Sequence, residues 1–171
     1  VMVHAGLLED GTKIWWDLRP SARFPTLEMR IADICTDVAD GATIAAVYVS
    51  LMRMLYVLKR NNQRWRKYSN MLIEENRWRA QRYGIDEGLV DFGRGEIVPY
   101  SDLLEEIIAL TSEHAEALDC LKELEHAREI LRRGTSAHRQ IAIFNEACYE
   151  GADKHQALKQ VVDFLIEQTV A

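Results

Sequence analysis

Between Thr26 and Ala32 the chain alternates in the strand period: Thr26, Glu28 and Arg30 fall on one face of an extended segment, Leu27, Met29 and Ile31 on the other. Asp17 and Arg19 repeat the alternation in the preceding segment, and the short link from Pro20 to Pro25 predicts a hairpin that sets two ionic faces side by side. From about Asp37 to Arg60 the period changes to that of a helix. Ile44, Val47, Tyr48, Leu51, Met52 and Leu55 are expected to form its buried stripe, with Thr36 or Asp37 as cap. After a break over 60–69, a second helix ends at Tyr83, where Gly84 suits a left-handed termination. Gly88, Gly93, Gly95 and Pro99 mark an irregular stretch with one short strand near Leu89 to Phe92. The rest reads as a helical array: Ser101 to Leu110, Ser112 to Asp119, Leu121 to Arg133, Ser136 to Tyr149 and Asp153 to Gln168. Asp153 and Gln156 have capping-box spacing. The fold class is α+β: a sheet hairpin over 1–35, then a mainly helical region over 36–171.

Composition narrows the function classes. With 171 residues, 48% of them hydrophobic, the chain can bury one core. A net charge of −6 argues against general nucleic-acid or membrane-surface binding. No uninterrupted apolar run approaches the ~20 residues of a membrane helix, and no signal-peptide pattern opens the chain, so the cytoplasm is the expected compartment. Cys35, Cys120 and Cys148 lack metal-ligand spacing and are expected as reduced thiols.

The chemistry concentrates in the hairpin. A carboxylate among guanidinium forks suits a site where the acid holds a hard cation and the arginines clamp phosphate or a substrate carboxylate. The alternative is a solvated edge hairpin whose Glu28 and Arg30 make ordinary surface ion pairs. Two more blocks allow either reading. Arg79 and Arg82, three apart on the second helix, form a solvated basic face or line a ligand site, and Trp78 could stack on Arg82. Gly134-Thr135-Ser136-Ala137-His138-Arg139-Gln140 offers both helix capping and anion contact through backbone N–H groups and Arg139. A competing class is a helical binding or structural module. Arg53, Lys59, Arg60, Arg64, Arg66, Lys67, Arg77, Arg79 and Arg82, interleaved with Trp65, Tyr68 and Trp78, could hold single-stranded nucleic acid, or the helices could form an oligomer interface.

Four blocks together resemble one family. Ile14-Trp15-Trp16-Asp17-Leu18-Arg19-Pro20-Ser21 with Pro25-Thr26-Leu27-Glu28-Met29-Arg30-Ile31, then Glu75-Asn76-Arg77-Trp78-Arg79-Ala80-Gln81-Arg82-Tyr83-Gly84, Leu89-Val90-Asp91-Phe92 and Arg133 to Gln140, look like the carboxylate-amine ligases. These are the type 2 glutamate-cysteine ligases, which share the glutamine synthetase catalytic fold. The resemblance implies a remnant of a glutamine synthetase-like antiparallel sheet and the carboxy-terminal part of a longer enzyme, whose amino-terminal half would be its necessary partner. It implies an ATP- and magnesium-dependent joining of a glutamate-like carboxylate to an amine such as cysteine through an acyl phosphate, as in glutathione biosynthesis. By the same resemblance Glu28 is a magnesium ligand, Arg30 and Arg19 are catalytic, and Arg30, Arg19, Arg79, Arg82 and Arg139 are the substrate- or phosphate-binding set. The small-molecule substrates, the missing half and a homo-oligomer are the expected partners, with no nucleic acid and no membrane; the 171 residues alone are expected to lack turnover.

Overall fold

The structure, a computed structural model, describes residues 1–170. It is an α+β chain that divides into two compact units, Val1–Ile34 and the remainder from Cys35.

In the first unit, a 3₁₀ turn at Gly11–Lys13 leads into β1 (Leu18–Pro20) and β2 (Leu27–Met29), an antiparallel pair in the register Leu18↔Met29, Arg19↔Glu28, Pro20↔Leu27. Backbone bonds extend the pairing at both ends, from Ser21 N to Thr26 O (3.0 Å) and from Arg30 N to Asp17 O (2.7 Å). The turn is fixed by the Ser21 hydroxyl, which accepts from the backbone N–H groups of Arg23 (3.2 Å) and Phe24 (3.1 Å). None of the residues 1–34 is buried.

The second unit carries the core. Helix α1 (Val38–Arg60) starts at Asp37, whose side chain accepts from Ala39 N at 2.8 Å. The buried side of α1 differs from the predicted one: Asp40, Thr43, Ala46, Ser50 and Met54 face inward, whereas Leu55 is exposed and Ile44, Val47, Tyr48, Leu51 and Met52 are only half-buried. The reason is closeness of packing. Ala46 meets Ile108, Ala115 and Leu124 in the main core cluster, and small side chains let the helix axes approach where Leu or Tyr would hold them apart. By length and mean hydropathy (1.6 over its apolar window) α1 could also cross a membrane, although only 22% of that window is buried. This is compatible with the absence of an uninterrupted apolar run of that length, because a window average passes over a charged residue such as Arg53.

Helix α2 (Asn70–Tyr83) ends at Gly84, which takes a positive φ of 58° but a ψ of −124°, outside the left-handed helical region expected there. Two strands follow, β3 (Leu89–Asp91) and β4 (Glu96–Val98), where the sequence predicted one. Gly88 makes their pairing possible: at φ +68° a Cβ would lie 2.2 Å from the carbonyl oxygen of Val98. Helix α3 (Tyr100–Glu116) runs through the predicted break near Leu110, because Thr111 and Ser112 return their hydroxyls to the carbonyls of Ile107 and Ile108 (both 2.6 Å) rather than capping a new helix. The predicted helix 121–133 is divided at His126 into α4 (Leu121–Glu125) and α5 (Ala127–Arg133). Helices α6 (Ser136–Tyr149) and α7 (Lys154–Val170) pack on each other, and the capping box between Asp153 and Gln156 forms with both bonds at 2.9 Å.

Candidate functional site

The ionic face of the β1–β2 hairpin is the best-formed constellation among the predicted site residues. The register sets Arg19 opposite Glu28, and the guanidinium donates from Nε (3.0 Å) and Nη2 (2.5 Å) to Glu28 Oε2. Arg30, two residues on and therefore on the same face, donates from Nη1 to Oε1 at 2.6 Å. Arg19 is anchored further by its Nη1, which donates to the Thr12 carbonyl at 2.6 Å; the loop bearing Thr12 is held in turn by Asp10, which accepts from Thr12 N at 2.7 Å. Arg30 also lies over the Trp15 ring, 5.8 Å from its centroid. The Arg19 hydrogen bond, with the charges of Arg19 and Arg30 added, holds the Glu28 carboxyl below the ordinary glutamate value. The cluster is a carboxylate between two guanidinium forks, with its titration held below the ordinary glutamate value. Asp17 enters it through its backbone carbonyl, and Arg23 lies in the turn.

The other predicted residues belong to the second unit, and no hydrogen bond, ion pair or ring contact joins them to one another among the described residues. Arg79 is 9% exposed and turns to the polypeptide: Nε donates to Gly88 O and Nη2 to Glu87 O, both at 3.2 Å, while the guanidinium lies 5.5 Å from the Tyr83 centroid. Asn76, one turn earlier on α2, pairs with the β3 edge through Nδ2 to Val90 O (2.9 Å) and Val90 N to Oδ1 (2.8 Å). Together they staple α2 to the β3–β4 hairpin. Arg82 is exposed and stacks over Tyr83 (5.7 Å); Trp78 meets Tyr83 edge-on at 5.5 Å in place of the expected contact with Arg82. Arg139 lies over Phe164 (4.6 Å) and donates to Gln168 Oε1 at 2.8 Å, tying α6 to α7.

The block from Gly134 to Gln140 caps α6. Thr135 N donates to His138 Nδ1 at 3.3 Å, which makes that nitrogen an acceptor and leaves Nε2 to donate to Asp86 Oδ1 at 3.2 Å. His138 thus links the loop after α2 to the start of α6.

Sequence reasoning missed a buried ionic cluster. Asp40 accepts a short bond from Arg133 Nη2 and lies 3.4 Å from His126 Nε2, while Arg133 also reaches Asp37 Oδ2 at 3.4 Å. A single acid on an otherwise uncharged helix face was the available signal, since a buried carboxylate requires a cationic partner.

One family matches almost all of this chain. The family model for glutamate-cysteine ligase family 2 matches residues 1–163. The chain belongs to that family. Among its relatives, a Rhodospirillum rubrum protein is 60% identical over all 171 residues, which cover 44% of that protein; one from Paracoccus denitrificans is 45% identical over 98% of this chain and 45% of its own length. A Sorangium cellulosum relative is 42% identical over 99% of this chain and 43% of its own. All three carry the name "Putative glutamate--cysteine ligase 2". The chain therefore spans less than half the length of the curated relatives it matches.

The donor set limits what these residues can hold. Among the described residues no group of three or more His, Cys, Asp and Glu side chains gathers as a metal site requires. Both Glu28 oxygens accept from arginine, so a cation there would take one carboxylate from this chain and its remaining ligands from elsewhere.

Proposed function

We propose that this chain is part of an ATP- and magnesium-dependent ligase that joins the side-chain carboxylate of glutamate to the amine of cysteine. The glutamate carboxylate oxygen attacks the terminal phosphorus of ATP, the bond to the bridging oxygen breaks, and ADP leaves with that electron pair. The amine then attacks the acyl carbon, phosphate departs with the C–O electrons, and the amide nitrogen loses its proton. Both steps bring negative groups together, so catalysis rests on fixed positive charge at the reacting oxygens.

Membership of the ligase family together with the Arg19–Glu28–Arg30 cluster supports this reading. In it Arg30 and Arg19 clamp phosphate and substrate carboxylate bidentately, and Glu28 holds both forks in register until an anion takes its place. Glu28 would supply one carboxylate to magnesium, which would screen the polyphosphate charge. Arg82, with its guanidinium exposed beside Tyr83, is the better placed of the two α2 arginines to reach a ligand, since Arg79 is engaged by carbonyls.

The 171 residues alone have too few carboxylates in one place to retain a metal–nucleotide complex, so no glutamate-dependent ADP release is expected from them. Adding the part of the Rhodospirillum rubrum relative that lies outside the match should restore ADP release and dipeptide formation, and Arg30→Ala should abolish both. Glutamate-dependent turnover by the 171 residues alone would overturn the reading.

A further inference from the structure

The stretch leading into β1 holds both arginines of the hairpin cluster by contacts that leave Glu28 out. Asp10 caps the 3₁₀ turn Gly11–Lys13: its Oδ1 accepts from Thr12 N at 2.7 Å and from the Thr12 hydroxyl. Lys13 N donates back to Asp10 O at 3.3 Å. A trans peptide directs its N–H and C=O to opposite sides, so this bond turns the Thr12 carbonyl away from the turn, where it accepts from Arg19 Nη1 at 2.6 Å. Arg19, its side chain 17% exposed, is therefore fixed from two directions. Trp15, two residues past the turn, sets its ring 5.8 Å from the Arg30 guanidinium. Trp15 is 88% exposed, so its partner is Arg30 rather than a core.

An anion that binds these forks takes over the donors Glu28 now uses, Nε and Nη2 of Arg19 and Nη1 of Arg30. Without the carboxylate, two guanidinium groups repel each other and regain rotamer freedom unless something else holds them. The Thr12 carbonyl and the Trp15 ring can do so without competing with the anion. The carbonyl uses Nη1 of Arg19, which Glu28 leaves free, and a ring contact consumes no N–H donor. We propose that Asp10 and Trp15 are positioning residues of the anion site: Asp10, through the Thr12 carbonyl, keeps Arg19 in place, and Trp15 keeps Arg30 in place, while an anion displaces Glu28. The inference rests on the ligase reading in taking that anion to be phosphate or a substrate carboxylate; the anchoring belongs to the hairpin unit and is measured without turnover.

Removing Glu28 imitates its displacement. In the 171-residue chain carrying Glu28→Ala, ¹⁵N relaxation of the Arg19 Nε–H should give an order parameter near the ~0.85 of rigid backbone, falling below ~0.6 when Asp10→Ala is added. Asp10→Asn, which keeps the acceptor oxygen, should leave Arg19 ordered. Arg30 should follow Trp15 in the same way, losing order with Trp15→Leu and keeping it with Trp15→Phe. Each variant should act on its own arginine and leave the amides of Leu27–Met29 unchanged. Glu28→Gln repeats the comparison with the side-chain volume kept, if Glu28→Ala opens the hairpin. The same Arg19 order parameter in Glu28→Ala with and without Asp10→Ala would overturn the inference. So would a joint loss of order at both arginines and the strand amides, which is support of the hairpin as a whole. In the reconstituted ligase Asp10→Ala should lower kcat/KM about tenfold and Asp10→Asn less than about threefold; an unchanged kcat/KM in Asp10→Ala would also overturn it. Ordered arginines without any turnover refute the ligase reading alone, and turnover with mobile arginines refutes the positioning alone.

Discussion

Arg19 and Glu28 face each other across the β1–β2 ladder, and the guanidinium directs both Nε and Nη2 to a single carboxylate oxygen. The second oxygen is left to Arg30, so one acid organises two arginines that would otherwise repel. The arrangement keeps two cationic groups close together on one face of the hairpin.

The pH dependence follows from that pairing. The Glu28 carboxyl is lowered from its ordinary 4.5, chiefly by the Arg19 hydrogen bond. A depressed folded-state value means that the hairpin gains from Glu28 above the unfolded value and loses the gain as pH falls through the folded one. NMR titration of the Glu28 carboxyl carbon should therefore give a midpoint below 4.5, and Arg19→Gln should move it up more than Arg30→Gln does. Equal midpoints in wild type and Arg19→Gln would show that the pair does not persist in solution.

Asn76 imitates a neighbouring strand, giving Val90 both an acceptor for its N–H and a donor for its carbonyl. Asn76→Ala leaves two backbone groups unpaired and should cost about 1–3 kcal/mol in urea denaturation. Asn76→Asp keeps the acceptor for Val90 N–H but sets a carboxylate against the Val90 carbonyl, and should cost at least as much.

The two α2 arginines should separate cleanly. Arg79→Ala removes charged hydrogen bonds to Gly88 and Glu87 and is expected to cost about 2–3 kcal/mol of stability. Arg82→Ala, at an exposed position, should stay within about 0.5 kcal/mol. In the reconstituted ligase the order should reverse for KM: Arg82→Ala raises it, while Arg79→Lys at a temperature where the protein stays folded does not. A stability loss for Arg82→Ala matching that of Arg79→Ala would remove the distinction.

Much of this was legible in the sequence where local chemistry decides. Asp37, Thr135 and Asp153 announce helix starts, and the Pro20–Pro25 link with alternating charge announced a hairpin with its ionic faces side by side, although the register that joins Arg19 to Glu28 came only with the fold. What tertiary packing decides was not legible. The large apolar side chains of α1 suggested the wrong inner face, because close approach to α3 and α4 favours Ala46 and Ser50 over Leu55. β4 was missed because its pairing depends on Gly88 admitting the Val98 carbonyl, a contact with no local sequence pattern. Arg79 had the residue type of an anion ligand, and only the fold around Gly88 gave it carbonyls instead.

Asp40 and Arg133 form a buried ion pair in the second unit. Asp40 is 6% exposed and sits in the first turn of α1, while Arg133 ends α5, so the bond joins two helix ends distant in sequence. Removing one charge strands the other: Arg133→Met should cost about 3 kcal/mol, because Asp40 keeps only the contact with His126, 3.4 Å away and charged only when protonated. Replacing both, Asp40→Leu with Arg133→Met, exchanges a desolvated ion pair for apolar packing and should recover most of the loss. Among the described residues Arg133 Nη1 is buried without a hydrogen-bond partner, which makes the wild-type pair less favourable than a fully satisfied one and the recovery correspondingly larger. A double-mutant cycle by urea denaturation measures the coupling. Additive losses would mean that the pair contributes nothing beyond its separate side chains, and the α1–α5 junction would then depend on the packing of the two helices.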